Sequence, residues 1–158
     1  GHFMAACPYG GYALIGGYIL PADSDFRLLI NQPENGGWVL ALNSQTKTNP
    51  HVQAILLCAD LDSEKFSLVS QSMKVKPNQT EALELTCPQG NQAFGGGYTL
   101  ANGLNVLADR PSSNGWRIVA YNRLKFDLKL QGSLVCLSDL DQLLNTKTKS
   151  SSDRLGTW

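Results

Sequence analysis

The chain has 158 residues, 42% of them apolar, enough for one ordinary hydrophobic core or two small ones and too many for a disordered chain. Lys plus Arg and Asp plus Glu number 13 each, so the net charge is zero and the basic footprint of a nucleic-acid or anionic-membrane binder is missing. Charged residues make up only 16%, which disfavours long helices, and no apolar run reaches the roughly 20 residues of a membrane-spanning helix.

The opening Gly1-His2-Phe3-Met4 reads as a fusion scar ahead of a trimmed mature start, so residues 1–4 are set outside the fold. Tyr12 to Leu20 is an apolar, strand-like stretch interrupted by Gly16-Gly17, and glycine inside a strand marks a bulge or a close backbone approach. Asn35-Gly36 is a turn dipeptide, because both residues accept positive φ. Val52 to Cys58 reads as a buried central strand. Phe66 to Thr86 reads as a hairpin. Val69, Met73 and Val75 fall on one face with Ser70, Ser72, Lys74 and Lys76 opposite; Pro77-Asn78-Gln79 turns the chain; Leu83, Leu85 and Cys87 alternate with Glu84 and Thr86. Ala93 to Leu100 is a second glycine-interrupted strand, and Asn102-Gly103 and Asn114-Gly115 are further turn dipeptides. Phe126, Leu128 and Leu130 alternate with Lys125, Asp127 and Lys129 as a half-buried strand, and Ser133 to Cys136 is a second buried one. The helical candidate is Leu137 to Leu144, one or two turns long, and residues 146–158 are a polar tail.

Residues 7–58 align with residues 87–136. Cys7-Pro8-Tyr9-Gly10 matches Cys87-Pro88-Gln89-Gly90, and Gly16-Gly17-Tyr18 matches Gly96-Gly97-Tyr98. Pro33 and Gly37-Trp38 match Pro111 and Gly115-Trp116; Ala41-Leu42-Asn43 matches Ala120-Tyr121-Asn122; Cys58 matches Cys136. The spacing wanders only between 78 and 80, as small loop or bulge changes produce. Short strands and regular turns indicate a sandwich or barrel. The expected fold is all-β, with two pseudo-symmetric antiparallel β-sandwich-like repeats of about ten strands, over residues 5–65 and 66–145. The first copy lacks the hairpin that precedes Cys87. Either it does without, or the tail after Cys136 closes it.

Four cysteines at equivalent positions favour Cys7–Cys58 and Cys87–Cys136, while Cys58–Cys87 with Cys7–Cys136 also respects an interleaved chain. Such bonds imply an oxidising compartment, and four reduced, buried thiols are the alternative. No Cys-x-x-Cys is present and neither His lies near a Cys, so no zinc site is expected.

The catalytic patterns are missing: no nucleophile elbow, zinc-protease motif or phosphate loop occurs, and neither a catalytic residue, a cofactor nor a metal is expected. His51, beside Pro50, reads as a surface residue. Asp60, Asp62 and Glu64, echoed by Asp139 and Asp141, lack the ligand count and turn glycine of a calcium loop and read as solvated. Asn78-Gln79-Thr80 is a lone glycosylation sequon. Trp38, Trp116, Tyr18 and Tyr98 are the binding candidates, since aromatic residues on β sandwiches form stacking platforms. Trp38 and Trp116 follow glycine and precede apolar strands in both copies, which favours core packing. Asn43 and Asn122 are expected to satisfy backbone groups at strand ends. Ligand contacts belong where the copies differ: Pro21–Arg27 against Ala101–Asn105, Ser44–Pro50 against Arg123–Phe126, and the tail.

Cys-Pro-x-Gly, then Gly-Gly-Tyr, then Pro and Asn-Gly-Trp, then Ala-x-Asn, then Cys resembles a pattern recurring in small secreted bacterial proteins, where an alternating Ser/Thr/Val-rich strand often leads it. Phe66–Thr86 fills that role for the second copy. The resemblance implies secretion and disulfides and carries no enzymatic activity. The expected function is a secreted or surface-exposed, non-catalytic binding module, an adhesin or effector meeting a host or environmental protein or glycan. The alternatives are a self-associating envelope or matrix protein, working as a homo-oligomer, and a small hydrolase whose carboxylates converge only in the fold.

Overall fold

Eleven β-strands account for most of the described residues (1–20, 26–44 and 52–138) of the computed structural model. They are β1 (His2–Ala5), β2 (Tyr12–Ile19), β3 (Phe26–Glu34), β4 (Gly37–Ser44), β5 (Gln53–Ala59), β6 (Phe66–Val75), β7 (Thr80–Thr86), β8 (Asn91–Leu100), β9 (Leu104–Ser112), β10 (Gly115–Asn122) and β11 (Leu128–Ser138). Short 3-10 turns lie at Pro8–Gly10 and Ser63–Lys65. Among the described residues no helix is long and apolar enough to cross a membrane.

All pairings are antiparallel. A six-stranded sheet runs β1-β4-β3-β8-β11-β6, a three-stranded sheet β7-β10-β9, and β2 pairs with β5. The three-stranded sheet packs on β8, β11 and β6, while β2 packs on β3, β4 and β8. One core cluster draws Trp38, Leu40 and Leu42 from the first half and Leu85, Leu104, Ile118, Leu130 and Leu134 from the second. Each fully buried leucine contributes about 2 kcal/mol by leaving water. A smaller cluster of Leu14, Val135 and Leu137 is covered by Phe66 and Phe94, and Phe66 stacks on Tyr12 with ring centres 4.5 Å apart.

Strands that align in the sequence hold matching ladder positions. Ala13 faces Cys58 as Ala93 faces Cys136; Pro33 faces Trp38 as Pro111 faces Trp116; Ala5 faces Trp38 as Leu85 faces Trp116. The disulfides are Cys7–Cys58 and Cys87–Cys136.

Several local expectations are corrected. Residues 2–4, set aside as part of a scar, form β1 with Ala5 on β4, where His2 to Ala5 extend alongside Ala41 to Trp38. Val52 to Cys58 is not a buried central strand: β5 lies at the end of its sheet, with Ile55 and Leu57 each 54% exposed. Asn35-Gly36 turns with both φ positive, but the turn near Asn114-Gly115 falls on Ser113-Asn114, and Gly115 already belongs to β10. Phe126 is exposed and precedes β11, because the Asn122 amide donates to Phe126 O and Val75 O (2.8 Å each) and its Oδ1 accepts Leu124 N–H (2.9 Å). These bonds tie the chain into a loop before the strand resumes. Leu137 and Ser138, the start of the helical candidate, end β11; residues 139–144 and the tail lie outside the described residues.

Candidate functional site

The paired glycines of each Gly-Gly-Tyr differ in purpose. A Cβ at Gly16 would fall 2.1 Å from the Trp38 ring and one at Gly96 2.3 Å from the Trp116 ring, so the first glycine of each pair admits an indole against the strand. The second glycine is sterically required in only one of the two segments. At Gly97 a Cβ would lie 1.8 Å from Asn31 O, where β3 pairs with β8 through Ile30–Thr99 and Asn31–Tyr98. At Gly17 it would meet nothing within 4 Å. Gln32 reinforces the β3–β8 seam, its Oε1 accepting from Thr99 (3.0 Å) and Ser133 (3.4 Å).

The indoles are held by side chains seven residues earlier. Trp38 Nε1 donates to Asn31 Oδ1 (2.8 Å), and Trp116 Nε1 donates to Asp109 Oδ1. The Asn31 side chain also lies close enough to Asp109 to lower its pKa, so the two Trp–Asx pairs approach one another. Burial raises the Asp109 carboxyl to about 6 in spite of these donors, which pull it down. Burial also raises the Tyr98 and Tyr18 hydroxyls, with Asp109 adding to both and Tyr18 to Tyr98.

Trp38 is 1% exposed and Trp116 half-buried. Tyr98 is buried but borders a groove, and Tyr18 is 39% exposed beside it. The groove, about 390 Å³, is lined by Tyr18 and Leu20, by Phe26, Arg27 and Leu28 of β3, by Tyr98 and Leu100 of β8, and by Leu104, Asn105 and Val106 of β9. Here β2 and β9 approach without a ladder between them among the described residues, in contrast to the closed seam of β3 and β8.

Arg27 spans the groove wall. Its Nη1 donates to Asn102 Oδ1 (3.2 Å) and its Nη2 to Asn105 Oδ1 (3.3 Å) and Leu104 O. Burial, then Arg123, lowers its pKa. Among the described residues it makes no ion pair; the one such pair is Arg117–Glu84, at the surface. The groove thus offers aromatic faces, a half-buried guanidinium and an exposed amide: surfaces for stacking on a planar or sugar ring, a planar donor for carboxylate or hydroxyl groups, and a donor–acceptor pair. A second hollow of about 340 Å³ lies over Ser72, Met73, Lys74, Asp127, Leu128 and Lys129.

Of the sequence candidates, the structure brings Tyr18 and Tyr98 together at this groove and uses both tryptophans inside the fold. Arg27 and Asn105, from segments in which the copies differ, meet here too. Asp109 escaped the sequence reading, although its alignment with Asn31 and its place seven residues before a tryptophan were available. Asp60, Asp62 and Glu64 are exposed, and no metal-holding group of three or more His, Cys, Asp or Glu occurs among the described residues. His51, Asp139 and Asp141 lie outside the described residues. No protein-family model, no curated protein and no solved structure matches the chain.

Proposed function

We propose that the chain is a secreted or surface-exposed, non-catalytic binding module of bacterial type, built by duplication, that meets a protein or glycan of its host or environment. Two disulfides fit an oxidising compartment. Matching ladders and the repeated Trp–Asx bond support the duplication. The observation that carries the binding reading is the groove in which Tyr18, Phe26 and Tyr98 surround Arg27 and Asn105. Burial accounts for the raised pKa of Asp109, against the downward pull of its indole and amide neighbours, and no reaction is needed to explain it.

A glycan array and a pull-down with immobilised protein test the reading. Tyr18→Ala and Asn105→Ala are expected to weaken capture at least about tenfold while leaving the thermal midpoint in place, as loss of a stacking face or a directed amide does. Retention of the same ligands by both variants at wild-type strength would sink it.

A further inference from the structure

We infer that the outer edge of β5 is a self-association site that takes β5 of a second copy of this chain in antiparallel register. The equivalent strand of the other half shows what such an edge carries. On β11, beyond β8, β6 pairs over ten residues from Leu128–Val75 to Leu137–Phe66. On β5, beyond β2, no strand pairs among the described residues.

The other sheet ends are guarded against further pairing. β1 is four residues long, β6 carries Lys74, β7 carries Glu81 and Glu84, and β9 carries Asp109, Arg110 and Pro111. Gln53-Ala54-Ile55-Leu56-Leu57-Cys58-Ala59 has no charge and no proline. β2 shares that composition, but it is turned into the fold, where Ala13 N donates to Gly36 O (2.7 Å) and Leu14 O would lie 2.3 Å from a Cβ on Gly95. An uncharged apolar edge is a template for another strand, and among the described residues β5 is the one left unguarded.

The register points to a second copy. Pairing two β5 strands about Leu56 sets Ile55 opposite Leu57 of the other chain, twice. Ile15 faces Leu57, and Ile19 lies on the same face, so a single apolar stripe crosses the joint. These four side chains are 42–54% exposed in one chain. No charge on either strand opposes the symmetric pairing. The twofold closes on itself, giving a dimer and not a fibre.

Light scattering over a dilution series from ~1 to ~500 µM, with hydrogen exchange at residues 53–59, tests this. The expected result is a monomer–dimer equilibrium in which protection of β5 amides rises with concentration. Ile55→Lys and Leu57→Lys, both at exposed positions, are expected to weaken dimerisation at least about tenfold with the thermal midpoint unchanged. A monomer at every concentration overturns the inference, as does a dimer that both lysine variants leave intact. Protection of β5 that ignores concentration also overturns it, since the edge would then be filled from within the chain. None of these outcomes touches the groove, whose ligands are read in the separate capture assay.

Discussion

Asn31 and Asp109 each accept the indole N–H of a tryptophan seven residues on, yet one is neutral and the other a carboxyl raised to about 6. A carboxyl whose folded pKa lies above its ordinary value near 3.8 binds more protons in the folded state between those two values. Stability from this group therefore falls as pH rises from about 4 to about 6 and is then flat. The ionised carboxylate costs on the order of 1–3 kcal/mol, allowing for the solvent that reaches a half-buried group. Asp109→Asn, which copies the amide of the other half, is expected to raise stability by that order at about pH 7 and to remove the slope. Urea unfolding across this pH range checks it. An unchanged slope would place the titration elsewhere.

At the scale of elements, Gly97 and Gly17 occupy the same place in the two Gly-Gly-Tyr segments but answer different demands. Gly97→Ala would drive a methyl into Asn31 O and push β3 off β8, an expected loss on the order of 2–4 kcal/mol. Gly17→Ala meets open space and is expected to change stability by less than ~0.5 kcal/mol, so chemical denaturation of the two variants separates a seam from a groove. Much of the strand pattern was legible, since β6 and β7 bury one face and alternate in sequence, with Val75, Leu83 and Leu85 inward. β5 misled because an unbroken apolar run reads the same whether both faces are covered or an edge stands bare. β1 was missed because four residues carry no period, and its pairing depends on distant Trp38 to Ala41. The groove was legible only in part: Tyr18 and Tyr98 are repeated, whereas Arg27 acquires its role by reaching Asn102 and Asn105, a meeting that no local pattern contains.

Across the whole molecule, the two sulfur bridges span 51 and 49 residues and so constrain the unfolded chain about equally, by about 4 kcal/mol each in the chain-entropy model. They differ in access. Cys58 is exposed on β5, whereas Cys136 is 0% exposed on β11, between β8 and β6 of the larger sheet. Graded phosphine reduction followed by alkylation and mass mapping is expected to label Cys7 and Cys58 first; simultaneous labelling of all four would show that opening is global. The β3–β8 seam also bears on how the protein is made. Asn31 reaches its neighbour only when Tyr98 has been synthesised, so a nascent chain carries a half-finished layer while nearly seventy further residues are added. The earlier half waits on the later one for its last ladder, and any helper that shields the emerging polypeptide has to cover that interval.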